Sequence, residues 1–355
     1  MNRMVKSWFP SLLAFLIMSL MLGILPSALP SNAGEKLSLE QVRLILSTSK
    51  DLSGKDLRGL SFKGLNLTGV NLRGADLRGV DLRGVTDLTG ADLSGADLRG
   101  VDLRGVPLKG TILTEANLEG ANLAGVDMSE LFQDIGNELA GTNFSGADLS
   151  STNWSCGAFV FGQESRIGNC PSLQGAVLRG AKLQKANLAR ATLSCTRRRR
   201  IPKICENSSG PDEFRSCATI CTDLSGADLS EAKLDGVSLI DAELRNASLW
   251  HASLKCIHDR AFPDCANLSG ADLTGADLSG AILNGAVLSG FLVPDNPANL
   301  NGANLSGSTL RNADLRGVNL DEANLDGADF TDAKIEGIQN ILKAKNIQKA
   351  KGLIR

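Results

Sequence analysis

The feature that most constrains this chain is a five-residue pattern that repeats from Asp51 to Glu336. Each unit contains Asp or Asn, then a central Leu, then Gly two places after the centre, as at residues 76–80 and 97–101. A small apolar residue usually stands two places before the centre. The period of five matches neither the 3.6 residues of a helical turn nor the alternation of two in a strand. The pattern therefore predicts a repeat architecture built from five-residue units.

The composition of each unit indicates how the chain closes on itself. Gly at every fifth residue allows a turn with a positive φ, where a side chain would clash. A chain that turns in every unit and keeps each central Leu inside forms a coil, and the small residue fits near its corner. The residues on either side of the centre then face water. We expect a solenoid in which each coil buries its apolar face against its neighbours.

The run Ala-Asp-Leu-Arg-Gly at residues 96–100, with its many in-phase copies, resembles the pentapeptide repeat proteins. The resemblance implies an all-β fold, a right-handed quadrilateral parallel β-helix with four units in each coil of about 20 residues. Eleven or so coils stacked at about 4.8 Å would give a rod of roughly 55 Å. The family implies this fold but no single activity.

Residues 1–33 are predicted to form a signal peptide. Arg3 and Lys6 give a basic start, and an apolar stretch follows at residues 11–25. Small residues at 31–33 match a cleavage site. Because the apolar stretch is shorter than the ~20 residues that span a bilayer, cleavage is favoured over an uncleaved membrane anchor. We expect an exported protein in the periplasm or thylakoid lumen; the resemblance suggests a cyanobacterial origin, and the sequence does not choose between the two compartments.

The eight cysteines agree with an oxidising compartment. Three interruptions of the repeat, at residues 157–169, 196–220 and 257–264, are each flanked by cysteines two places after one centre and three places before the next. With a period of five, these are equivalent places in the coil, so each pair marks the neck of a loop. We predict the disulfides Cys156–Cys170, Cys195–Cys221 and Cys256–Cys265, with Cys205–Cys217 inside the largest loop. A zinc site at Cys195, Cys205, Cys217 and Cys221 is the alternative, although it lacks the close C-x-x-C spacing.

The remaining segments are predicted from local patterns. A capping box at Ser38–Gln41 predicts a helix over about 38–48, within an N-terminal cap at residues 34–49. The β-helix is expected over residues 50–336, with a cysteine-free excursion at 291–298. Residues 337–355 carry isoleucines and leucines among lysines and are interpreted as a C-terminal cap helix or a basic tail.

Charged side chains are expected to stack along the coils. With 20 residues per coil, Arg58, Arg78 and Arg99 form one column and Lys63, Arg83 and Arg104 a second on the adjoining face. Aspartates stand beside the arginines, two residues earlier in the same units. Such a lattice keeps a rod soluble, and recognition of a partner with matching charge rows is the alternative interpretation. The densest charge is Arg197-Arg198-Arg199-Arg200, an exposed loop segment or a site for an anionic lipid, glycan or protein face.

Composition argues against several function classes. The formal net charge of −2 gives no general attraction to nucleic acid, and the arginines cancel the carboxylate rows that DNA mimicry requires. The only histidines, His251 and His258, lack a convincing ligand set, and the glycines are explained by turns. We therefore expect no catalytic activity, cofactor or metal.

The predicted function is that of an exported structural or protein-binding scaffold whose partner specificity is carried by the loops. The alternative is an envelope-associated binder of anionic lipid or glycan through Arg197–Arg200 and the basic tail. The sequence identifies neither the protein partner nor the oligomeric state.

Overall fold

A computed structural model of the chain describes residues 34–132, 139, 141–154, 158–161, 164–167, 172–194, 196–197, 219–258, 264–290 and 296–353. The predicted signal peptide lies outside the described residues. The described part is almost entirely a stack of coils joined by parallel β-bridges.

Each five-residue unit bonds to the coils before and after it. In the unit centred on Leu77, the amide of Asp76 donates to the carbonyl of Lys55 (2.9 Å), and that of Leu77 donates to the carbonyl of Asp97 (2.8 Å). Val80 N–H closes a turn onto the Leu77 carbonyl at 3.0 Å. Gly79 in that turn has a φ of 69°, which favours glycine because it has no Cβ. Repetition of this unit explains why the period is five.

The four units of a coil form four faces, which the chain visits in the order A, B, C, D. Each face is a column of parallel bridges between residues that precede the central Leu. Representative columns are Asp127, Asn153, Asn187, Lys233, Ser253 and Ile282 on face A; Ser172, Thr192, Ser238, Asn267 and Val287 on face B; Asp56, Asp76, Asp97, Asn117 and Asn143 on face C; and Asp102, Asn122, Asp148, Lys182 and Asp228 on face D.

The core lies inside the coils and consists mainly of the central leucines with the small Ala and Val residues at the corners. Trp154 replaces Leu at one centre and is fully buried. Its ring packs edge-on against Phe144 with 6.3 Å between ring centroids, and its indole N–H donates to the Thr152 hydroxyl at 2.7 Å. This bond satisfies the one polar group that Trp brings into the core.

The N-terminal end carries α1, which spans Leu39–Thr48 where the sequence predicts a helix. Ser38 is its N-cap: the Gln41 amide donates to the Ser38 hydroxyl (3.3 Å), and the Ser38 amide donates to the Gln41 side-chain carbonyl (2.7 Å). Val42 of α1 is buried in the core, and Lys36 pairs with Asp56 on face C. The helix thus packs onto the first coil, whose open edge would otherwise be exposed.

Short elements interrupt the coils. A 3₁₀ helix spans Met128–Phe132, β1 (Ala158–Phe161) pairs antiparallel with β2 (Glu164–Ile167), and β3 (Thr196–Arg197) pairs antiparallel with β4 (Thr219–Ile220). A single extra residue near Thr86 shifts the register from 20 to 21, since Ser61 pairs with Asp81 but Asn66 pairs with Asp87.

The C-terminal segment differs from the helix or tail that the sequence predicts. Residues Gln339, Lys345 and Lys351 extend the columns of faces C, D and A, and the amide of Lys345 donates to the Ala323 carbonyl at 2.7 Å. The bridges here are six residues apart because each unit contains a 3₁₀ turn, at Ile341–Lys343 and Ile347–Lys349. Pairing with the free carbonyls of the preceding coil replaces the bonds that an isolated helix would make.

Candidate binding faces and loop necks

All four long excursions leave the coils at the two corners that border face B. The chain passes from face A to face B between Asn153 and Ser172, and again between Ser253 and Asn267. It passes from face B to face C between Thr192 and Asp223, and again between Val287 and Asn299. The two steps from A to B contain the loops 157–169 and 257–264, and the two steps from B to C contain the loops 196–220 and 291–298. Counting residues against the coil period is the sequence signal that reveals this shared border.

The structure describes the neck of the 257–264 loop on both sides. Cys256 and Cys265 form a disulfide, the pair that the spacing predicts. Next to it, Ile257 and Asp264 exchange two backbone hydrogen bonds of 2.8 and 3.0 Å. The Asp264 carboxylate accepts a hydrogen bond from Arg190 Nε at 3.0 Å. The neck is therefore held by covalent, backbone and charged interactions together.

The other cysteines are described in part. Cys221 is disulfide-bonded, and its partner is not among the described residues. Cys156, Cys170, Cys195, Cys205 and Cys217 lie outside the described residues, so the pairings Cys156–Cys170, Cys195–Cys221 and Cys205–Cys217 stay predictions. Within the described ranges, His, Cys, Asp and Glu side chains form no cluster that could hold a metal ion.

The neck of the 291–298 excursion is held in a similar way from the opposite corner. The Asn296 side-chain amide donates to the Asp241 carboxylate at 2.6 Å, and Asp241 lies two coils earlier. These two side chains meet above Gly270 of the intervening coil, in space that a Cβ atom there would occupy. Arg190 and Asp264 are likewise two coils apart, with Gly236 between them against the neck. Both necks thus fold back along the edges of face B.

Face C carries a continuous ladder of aspartate and arginine in the first coils. Arg58 donates two hydrogen bonds to Asp56, from Nε at 2.9 Å and from Nη2 at 2.7 Å. The same Nε lies 3.4 Å from Asp76 of the next coil, and Arg78 repeats both contacts with Asp76 and Asp97. Each guanidinium therefore joins two coils, and a ligand that binds this column has to compete with carboxylates already in place.

The pKa values of these groups follow from the pairing. Hydrogen bonds from Arg58 lower the pKa of Asp56 to about 2, from an ordinary value of 3.8. The Asp76 side chain raises the pKa of Arg78. On face D, Arg83 and Arg104 donate to Asp81 and Asp102 in the same manner. The predicted columns thus exist as paired charges.

Other candidate groups are dispersed. Arg197 belongs to β3, while Arg198, Arg199 and Arg200 lie outside the described residues. The tail lysines Lys343, Lys345 and Lys349 form ion pairs of 3.6, 3.1 and 3.0 Å with Asp321, Glu322 and Asp326. The ring of His251 stacks edge-on with Trp250, with centroids 4.3 Å apart. Sequence reasoning missed Trp250, which is 43% exposed beside the turn on face D.

The described residues contain no helix with the length and apolar character that crossing a membrane requires. None of the curated proteins matches the chain significantly.

Several solved structures of pentapeptide repeat proteins are similar to the chain. HetL of Nostoc sp. strain PCC 7120, involved in heterocyst differentiation regulation, is 24% identical, with 86% of this chain and 93% of that chain covered and a TM-score of 0.21. Rfr23 of Cyanothece 51142 is 23% identical (51% and 90% covered, TM-score 0.28). A protein of the Arabidopsis thaliana thylakoid lumen is 24% identical (44% and 72% covered, TM-score 0.14). Likenesses at these TM-scores do not indicate what this chain binds.

The family model for pentapeptide repeats matches in eight copies, over residues 51–85, 86–105, 106–131, 172–199, 222–255, 264–290 and 298–337. These ranges cover more than half of the chain and lie mainly in the coils, although the coil residues 141–154 fall outside them, as do the loop residues 200–221 and 291–297. The chain belongs to the pentapeptide repeat family.

Proposed function

We propose that this protein is an exported, non-catalytic scaffold that binds a protein partner through its extruded loops. The observation that carries the proposal is that all four long excursions border one face of the β-helix. Coils alone make a uniform shaft, whereas loops at neighbouring corners combine into one composite surface. Disulfides at the necks would limit the conformational freedom that the loops lose on binding and so favour affinity.

The charged side chains of the coils are already paired with one another, which favours the loops as the part of the protein that determines partner specificity. The arginines of faces C and D are paired with aspartates of their own units, and exposed pairs of this kind add little to affinity. The alternative function, binding of anionic lipid or glycan, relied on the basic tail together with Arg197–Arg200. Three tail lysines are already ion-paired, which weakens that alternative.

The proposal is tested by replacing residues 196–220 with a short Gly-Ser linker while Cys195 and Cys221 are kept. The control is Ser248→Arg, because Ser248 lies on face D, away from the two corners at which the excursions leave the coils. Cross-linking in the host cell, followed by mass spectrometry, compares the partners of both variants with those of the intact chain. We expect the 196–220 variant to lose a partner that the intact chain retains. The same partner, once purified, should bind the purified intact chain. Equal recovery of the same partners by all three proteins contradicts the proposal.

Export is tested separately by N-terminal sequencing of the protein isolated from cell fractions. We expect the mature chain to begin after Ala33 and to appear in the periplasm or the thylakoid lumen. A mature protein that keeps residues 1–33 in a membrane fraction would contradict cleavage.

A further inference from the structure

The stretch of face B between the loops carries no charge at its outward positions. Five successive coils contribute ten such positions, one before and one after each central Leu. The residues are Ser172, Gln174, Thr192, Ser194, Ser238, Ile240, Asn267, Ser269, Val287 and Ser289. Eight of these ten side chains bear a hydroxyl or an amide. Ser194, Ser269 and Ser289 are buried, where the Gln174 amide donates to the Ser194 hydroxyl and the Ser269 hydroxyl donates to the Ser289 carbonyl, and the other seven positions are half-buried.

The neighbouring faces of the same coils are charged, so the neutral stretch is a local property. Face C presents Arg179, Asp223, Arg245 and Asp272, of which Arg179 pairs with Asp223 and Arg245 pairs with Asp272. Face B carries charge at Asp314 and Arg316 on the coil that adjoins Val287, and at Arg73 and Asp92 on the other side, where the uncharged Ile112 and Thr114 stand between Asp92 and the strip. The neutral strip, defined here as the ten positions from Ser172 to Ser289, therefore coincides with the coils from which the loops leave.

Loop necks border both long edges of the neutral strip. On the edge toward face A, Asp264 of one neck bonds to Arg190 two coils earlier, and Arg190 is only 18% exposed. On the edge toward face C, Asn296 bonds to Asp241 two coils earlier. Each contact holds a neck beside three of the five coils, so this part of the strip lies between two necks along the axis of the β-helix.

We propose that the neutral strip binds an uncharged glycan chain that lies along the axis of the β-helix. Ser172, Thr192, Ser238 and Asn267 are half-buried, and hydroxyl and amide side chains both donate and accept hydrogen bonds, as the hydroxyl groups of a neutral sugar require. Coils recur at about 4.8 Å, so a regular polymer meets a new uncharged row of the strip at each step. Weak contacts on successive rows act together because the first holds the polymer in place for the next.

Other occupants fit the strip less well. A charged polymer would lose hydration on the neutral strip, which offers no opposite charge. A protein interface core is typically rich in Tyr, Trp, Phe, Met and Arg and poor in Ser, whereas the strip contains five serines and none of those five residue types. The inference is independent of the proposed protein partner, which we place on the loops.

The test compares Ser238→Arg with Ser248→Arg in the full-length mature protein. Both serines precede a central Leu in the same coil and are half-buried, but Ser238 lies in the strip and Ser248 lies on face D. Binding is measured on an array of neutral and acidic oligosaccharides and by electrophoresis through gels that contain dextran, hydroxyethyl cellulose, alginate or polygalacturonate. We expect binding to at least one neutral glycan that is insensitive to salt, at least tenfold weaker in Ser238→Arg and unchanged in Ser248→Arg.

Three outcomes overturn the proposal: no neutral glycan binds, only acidic polymers bind, or Ser238→Arg retains the affinity of the wild type. Loss of a cross-linked protein in Ser238→Arg, without any glycan binding, would instead make the strip a protein interface. Thermal unfolding checks that both variants fold. If Ser238→Arg does not fold, Thr192→Arg introduces the same charge on the adjoining coil of the strip, and the same outcomes apply.

Discussion

Arg190 and Asp264, 74 residues apart in sequence, form an ion pair with 3.0 Å between Nε and a carboxylate oxygen. Arg190 sits at a corner of the coil with a φ of 61°, a conformation that costs a non-glycine residue about 1 kcal/mol. Its side chain reaches across one coil to the neck of the 257–264 loop. The corner thus links the position of a loop to the shaft beneath it.

Replacing Arg190 with Gln should loosen this neck without unfolding the coils. The ion pair is largely shielded from water on the arginine side, so its loss should cost about 1.5 kcal/mol locally. Hydrogen exchange of the Ile257 and Asp264 amides, which bond to each other, should accelerate about tenfold. The control is Lys185→Gln, because Lys185 also has a positive φ but forms a solvent-exposed pair of 3.7 Å with Glu231. Equal acceleration in both variants would show that the Arg190 contact does not hold the neck.

Peptide mapping of the non-reduced mature protein should recover Cys256 linked to Cys265, as the structure has it. We expect Cys156–Cys170, Cys195–Cys221 and Cys205–Cys217 in the same digest. Removing the 256–265 bond by a double change to Ser should lower the free energy of unfolding by about 2.5 kcal/mol, since the closed loop is short. Peptides in which cysteines of different necks are linked would contradict the assignment of one disulfide to each neck.

The conformation of the repeat unit could be predicted from the sequence, because each position of the unit has one structural role. The buried Leu77 and the turn at Gly79 follow from the period alone, and the Cys256–Cys265 neck follows from counting within it. The C-terminal coil could not be predicted from local pattern, because Lys345 and Lys351 satisfy carbonyls of the preceding coil that only the folded structure presents. The contacts of Arg190 and Asn296 were missed for the same reason, since each joins residues more than 50 positions apart.

Acid should lower the free energy of unfolding, because it protonates aspartates that are paired in the folded state. Asp56 has a pKa of about 2 because Arg58 donates to it, and Asp329 has a pKa of about 2 because of Thr331 and Arg311. A carboxylate with a lowered pKa stabilises the folded state above its unfolded value of 3.8, and this contribution is lost as the pH falls toward 2. Urea midpoints measured between pH 5 and pH 2 should therefore decrease with acid, and less steeply in the Asp56→Asn, Asp329→Asn double variant. If the urea midpoint depends on pH as steeply in that variant as in the wild type, Asp56 and Asp329 do not cause the loss of stability in acid.

Substitution of Gly270 tests whether the Asp241–Asn296 contact holds the neck of the 291–298 excursion against the coils. The Asp241 and Asn296 side chains meet in the space that a Cβ atom at Gly270 would occupy, and Gly270 has a φ of 71°. Gly307 has a φ of 65° with no atom near the corresponding Cβ position, so it provides the matched control. Gly307→Ala should lower the free energy of unfolding by about 1 kcal/mol, the cost of a positive φ for a residue with a side chain.

Gly270→Ala carries the same backbone cost and must also separate Asp241 from Asn296. We expect a further loss of about 1 kcal/mol, the net value of a hydrogen bond to a charged group that is partly exposed. The Asp241→Ala, Gly270→Ala double variant should be about as stable as Gly270→Ala, because the Asp241–Asn296 hydrogen bond is already lost in both. Urea denaturation of the four proteins measures all these terms. Equal destabilisation by Gly270→Ala and Gly307→Ala would mean that the Asp241–Asn296 contact does not fix the neck along the edge of face B.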